Sequence, residues 1–223
     1  MSLTCEITEG VARISTDDGK VNVMTHEWLT RFSRCLDDVL ASDAKVLLMS
    51  GRPKFFSAGL DVKAVTQMDA AELKKLLDYF AQIALTLYGL PIPTIALVTG
   101  HAIAGGFIMA SACDYRIGLD GPFKYQLSEV AIGVAIPQWL PVLFEASLSK
   151  PVFESIALSA RVLSPQDMLD NGFLLGLDSD PADQTRRAGA LAAQLAQLSA
   201  QAYADSKAMM RSGRIEAALA RLG

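Results

Sequence analysis

The sequence predicts a mixed α/β fold with helices packed on sheet. Three observations carry this. Short apolar runs, such as residues 45–50 (KVLLMS) and 94–99 (TIALVT), read as buried strands. Stretches with the 3.6-residue apolar spacing of helices lie between them, so strand-like and helix-like segments alternate. The chain has 223 residues, of which 51% are apolar, enough to bury a substantial core.

In chain order, residues 3–8 and 11–15 are two short runs separated by Glu9-Gly10, which reads as a hairpin. Residues 25–40 carry Trp28, Leu29, Phe32, Cys35, Leu36, Val39 and Leu40 on one helical face. After the strand at 45–50 and a loop, Asp69-Ala-Ala-Glu72 has the pattern of a capping box and opens a helix to about Leu87. The strand at 94–99 follows, and residues 115–118 and 123–127 are short strand candidates. Ser164-Pro165-Gln166-Asp167 is a helix start, a Ser cap followed by Pro at the first position. Residues 184–210 are rich in Ala, Gln and Leu and read as helical. A split falls near 149–151, giving a mixed part over 1–149 and a helical region over 150–223.

Composition excludes several function classes. Lys plus Arg total 20 against 24 Asp plus Glu, a net charge of −4, so nothing supports binding to nucleic acid or an anionic membrane. Cys5, Cys35 and Cys113 are widely spaced with no CxxC pair, which fits a reducing, cytoplasmic setting and argues against a zinc ribbon. The N-terminus lacks the basic and apolar regions of a signal peptide. No Asp, Glu, Lys or Arg occurs between Asp78 and Asp114, a length that could span a bilayer. Pro91, Pro93, Gly100, Gly105 and Gly106 divide that stretch into pieces too short for a spanning helix.

Three places can carry chemistry. The loop from Gly51 to Asp61 follows a buried strand, and Ser57, Ala58 and Gly59 would let a ligand approach the main chain. Alone, it reads as an ordinary strand-to-helix connection. Gly105-Gly106 opens an apolar helix after a strand, where free N–H groups favour negative charge, but on this loop alone tight helix–strand packing is the favoured reading. Glu129 is the single charged residue between Lys124 and Glu145. Desolvation there would raise its pKa and suit it to proton abstraction, although an isolated Glu more often faces water. His26 and His101 have no GxSxG elbow and no nearby ligand cluster, so neither a hydrolase triad nor a metal site is expected. Asp114 and Arg116 read as a buried structural pair.

Together these segments resemble the crotonase (enoyl-CoA hydratase/isomerase) superfamily. Phe56-Ser-Ala-Gly-Leu-Asp61 is similar to the family's first oxyanion segment, and Gly100, Gly105-Gly106 and Cys113-Asp-Tyr-Arg116 to its second. Ser128-Glu129 with Gly133 and Pro137, then the segment from Arg161 to Leu174, resemble two later motifs. The resemblance implies a spiral of ββα units with a C-terminal helical region, assembled as a homotrimer or dimer of trimers. It implies an acyl-CoA thioester substrate with no further cofactor.

Within the superfamily, hydratases carry two glutamates. The first falls on Ile108 here and the second on Glu129, a pattern similar to the Δ3,Δ2-enoyl-CoA isomerases. The resemblance then implies Glu129 as the single base, the main-chain N–H groups of Ala58 and Gly105 as the oxyanion hole, and Ile108 in the acyl pocket wall. Ala58, Gly59, Leu60, Asp61 and Val62, with Gly106, would line the substrate, and Lys54 and Lys63 are within sequence reach of the CoA phosphates. A hydratase and a catalytically degenerate acyl-CoA or protein-binding module are the alternatives.

Overall fold

The computed structural model describes residues 2–222. Strands β1 (Ser2–Thr8) and β2 (Val11–Asp17) form the expected antiparallel hairpin. Its turn residues Glu9 and Gly10 have φ of 53° and 74°, the left-handed geometry whose twist matches paired strands. After β3 (Val23–Met24), α1 (His26–Leu40) starts where the Thr25 hydroxyl accepts from the Trp28 N–H. The expected face of α1 is buried except Leu40, which ends the helix and is exposed.

Next come β4 (Val46–Ser50), β5 (Lys54–Ser57), β6 (Gly59–Leu60) and a single turn, α2 (Val62–Val65). Helix α3 (Ala70–Gly89) begins with the capping box of Asp69 and Glu72. Strands β7 (Thr94–Val98) and β8 (Gly100–Ile103) then lead into α4 (Gly105–Ala112). Strands β9 (Tyr115–Leu119) and β10 (Tyr125–Gln126) precede a 3-10 turn at Val130–Ile132 and α5 (Leu140–Phe144). Helices α6 (Lys150–Ser159) and α7 (Pro165–Asp170), strand β11 (Gly176–Asp178), and helices α8 (Pro181–Leu195) and α9 (Ala200–Leu219) complete the described chain.

The strands form a spiral of three sheets. The main sheet has the order β1-β2-β4-β7-β9-β11, parallel beyond the hairpin. Side chains alternate across it. Leu47, Met49, Ala96 and Val98 join the principal core with α1, α3 and α4. Val46, Leu48, Ile95, Leu97 and Ile117 pack on the other face against Ala188, Ala192 and Leu195 of α8. A second sheet, β10-β8-β5, is parallel throughout, and β3 pairs with β6.

The region 150–223 is not purely helical, because β11 extends the main sheet. The stretch 184–210 is two helices, broken where the Ser199 hydroxyl caps α9. Asp114 fastens α9 to the core. Its carboxylate accepts from Lys207 Nζ at 2.8 Å, Arg211 at 2.7 Å and the Tyr203 hydroxyl at 2.9 Å. Arg116 donates instead to the Phe173 and Cys113 carbonyls, so Asp114 and Arg116 are both structural, but their side chains do not pair.

Candidate active site

In the β10-β8-β5 sheet all strands run the same way, so their C-terminal ends share one edge. β5 runs out into Ala58-Gly59-Leu60, β8 into Ala104-Gly105, and β10 towards Glu129. Carboxyl ends of parallel strands are where such sheets place ligands.

The first two segments touch through main chain. Gly59 has φ of 87°, and a Cβ there would lie 2.7 Å from the Gly105 nitrogen. A Cβ on Gly105 would lie 3.4 Å from the Leu60 nitrogen, and one on Gly106 would collide with the Ser57 carbonyl at 2.3 Å. The glycine pair therefore serves close packing, and it also leaves a helix end open. The Ala104 N–H donates to the Gln126 carbonyl at 2.8 Å, whereas the Gly105 N–H has no acceptor among the described residues.

Ala58 does not supply the second free amide. Its N–H donates to the Val21 carbonyl at 3.0 Å, because the chain at that point still runs alongside the segment leading to β3. The Asp61 N–H donates to the Met24 carbonyl at 3.2 Å. Successive amides of an extended chain alternate in direction, so the intervening Leu60 N–H is turned from β3 towards Gly105. Leu60, expected only as a lining residue, takes the place given to Ala58. The period of the motif alone could not distinguish them; the alternation of strand β6 does.

Glu129 sits just before the 3-10 turn, and the amides of Ile132 in that turn and of Val134 beyond it donate to its carbonyl. The carboxyl is largely buried, and Oε2 has no hydrogen-bond partner among the described residues. Burial pushes its pKa above the ordinary carboxyl value of 4.5. Ile108 is buried one helical turn beyond Gly105. Phe80 lies 3.3 Å from a Cβ built on Gly105 and meets the buried Trp139 edge-to-face at 6.1 Å. The segments that follow β5, β8 and β10 thus supply a buried carboxyl, open amides and hydrocarbon side chains.

The remaining expected residues separate. Asp61 caps α2, accepting from Lys63 N–H at 3.0 Å, and the Val62 and Lys63 side chains are exposed beside the edge. Lys54 starts β5 and therefore lies at the opposite end of the strand, where it lines a different cavity. His101 is occupied structurally: Nδ1 accepts from the Lys124 N–H, and the ring packs on Phe55 and Phe123. Among the described residues, no three His, Cys, Asp or Glu side chains gather as a metal site.

A desolvated carboxyl and outward-turned main-chain amides at the ends of neighbouring strands are groups that can move a proton next to a carbonyl and hold its oxygen. The chain belongs to the enoyl-CoA hydratase/isomerase, or crotonase, family, whose sequence profile matches residues 6–221. It is 29% identical over 221 residues to a probable enoyl-CoA hydratase of Bacillus subtilis, covering 96% of this chain and 83% of that one. It is 29% identical over 206 residues to the human mitochondrial enoyl-CoA delta isomerase 1, covering 91% and 68%. A crystal structure of an enoyl-CoA hydratase/isomerase family protein from Pseudomonas syringae superposes with a TM-score of 0.92 at 29% identity, covering 99% of this chain and 94% of that one.

Proposed function

We propose that the protein is an acyl-CoA isomerase that shifts the double bond of a 3-enoyl-CoA to give the 2-trans-enoyl-CoA. One observation carries the reading: the segment after β10 supplies a largely buried carboxyl, Glu129, whose Oε2 has no hydrogen-bond partner among the described residues, while the hydrocarbon side chain of Ile108 stands one turn from Gly105. Asp61, the other carboxylate on these segments, is committed to capping α2.

The chemistry needs one base. The Glu129 carboxylate takes a proton from C2, and the electron pair of that C–H bond delocalises over the allylic thioester as a dienolate. The same carboxyl returns the proton to C4, so the atoms balance with no further cofactor. The Leu60 and Gly105 N–H groups donate to the thioester oxygen as its charge grows; such a donor contributes roughly 3–4 kcal/mol. Adding water across a 2-enoyl-CoA requires activating water and protonating C2, a task that suits two positioned groups. Lys63 is the basic residue on the site side that suits the CoA phosphates.

Steady-state assays with 3-hexenoyl-CoA and crotonyl-CoA test the reading. It requires turnover of the first to far exceed hydration of the second. Fast hydration with no 3-enoyl turnover would overturn it.

A further inference from the structure

We propose that the groove between the outer face of the main sheet and the first half of α8 binds a small amphiphilic carboxylate, of the medium-chain fatty acid class, separately from the acyl-CoA edge. The groove encloses about 570 Å³, within the range of roughly 300–1,000 Å³ of small-molecule sites. It exists because α8 presents Ala188 and Gly189 where it passes the C-terminal ends of the strands. A Cβ on Gly189 would meet nothing within 4 Å.

The lining has two kinds of chemistry. Leu48, Leu97 and Leu119 form an aliphatic floor, each retaining 8 or 9% of its surface exposed. At the rim stand Arg13 and Lys54, both exposed, and neither has an ion-pair partner among the described residues. Glu6 is opposite Arg13 in the β1–β2 register but makes no ion pair with it, and Asp17 is held by Arg52 at 2.9 Å. The Ser15 and Ser50 hydroxyls, 3.0 Å apart, share one hydrogen bond. One of their two protons therefore remains to be donated to a carboxylate oxygen. Free cations and a hydroxyl donor above an aliphatic floor favour an anionic head with an apolar tail.

The test is calorimetric titration of octanoate into the intact protein saturated with octanoyl-CoA, whose saturated chain fills the acyl end of the edge and so removes competition there. The expected result is saturable binding, one octanoate per chain, with neither acetate nor octylamine binding comparably. The double variant Arg13→Glu, Lys54→Glu should weaken octanoate at least about tenfold, a loss of roughly 1.4 kcal/mol. Gly189→Leu, whose Cβ would have open space at the groove wall, should abolish binding while 3-enoyl-CoA turnover stays unchanged. Octylamine binding as tightly as octanoate overturns the proposal, as does wild-type affinity in a folded Gly189→Leu protein. Absence of saturable binding, with this face instead covered by a second copy of the chain, overturns it as well. Because octanoate binding is read without turnover, its failure is distinguishable from failure of the isomerase reading.

Discussion

Gly59 lies in β6 and Gly105 opens α4, yet a Cβ on Gly59 would lie 2.7 Å from the Gly105 nitrogen. That approach places the Leu60 amide beside the open start of α4, and the proposed oxyanion role of the two amides rests on it. Gly105→Ala puts a Cβ 3.2 Å from Gly59 Cα and 3.3 Å from Phe80. It should spread the two amides and lower kcat on the order of 10²-fold. Leu60→Pro removes the donor itself and should cost about 10²–10³ in kcat, whereas Ala58→Ser should have little effect. Kinetics of the three proteins, each with a matching circular dichroism spectrum, check this.

Glu129→Gln preserves shape but cannot accept a proton. Turnover of 3-hexenoyl-CoA should fall by at least about 10²–10⁴-fold, with coenzyme A affinity retained in equilibrium binding. Full activity in this variant would remove Glu129 as the base.

Burial gives Glu129 a further signature. It acts as a base only when ionised, so kcat/KM should rise with pH through a value above 4.5 and then level off. Stability runs the other way. The folded carboxyl binds its proton more tightly than the unfolded one, so this contribution is present at low pH and declines as pH climbs from 4.5 through the raised value. Glu129→Gln removes the penalty, so it should raise Tm at neutral pH and leave Tm nearly unchanged below the ordinary Glu range. Thermal scans across pH measure the difference.

Asp114 faces the opposite balance. Burial pushes its carboxyl up, but Lys207 and Arg211 outweigh burial and hold it below its ordinary value of 3.8. Its stabilisation is therefore complete above 3.8 and is lost as pH falls through the depressed value. Asp114→Ala strands Lys207, whose side chain is 4% exposed. Urea unfolding should show a loss of about 3–5 kcal/mol, with α9 released from the core.

Ile108→Glu tests why a single carboxyl limits the reaction. The new group would sit one turn from Gly105, in a position that Ile108 now buries. Crotonyl-CoA hydration should increase over the parent while stability falls, because a carboxyl replaces buried hydrocarbon. Parallel hydration assays and melting curves report both effects.

The sequence by itself determined what depends on local pattern. The apolar runs specified β4 and β7, Asp69 and Ser164 specified helix starts, and the charge-free surroundings of Glu129 anticipated its desolvation. Tertiary structure decided which amide is open, because the Val21 carbonyl that occupies Ala58 comes from a distant segment. It also sent Lys54 to the far end of β5 and drew β11 into the sheet. Hydrogen-bond partners and strand ends are set by which segments meet in space, and a period of two or 3.6 along the chain carries no record of that meeting.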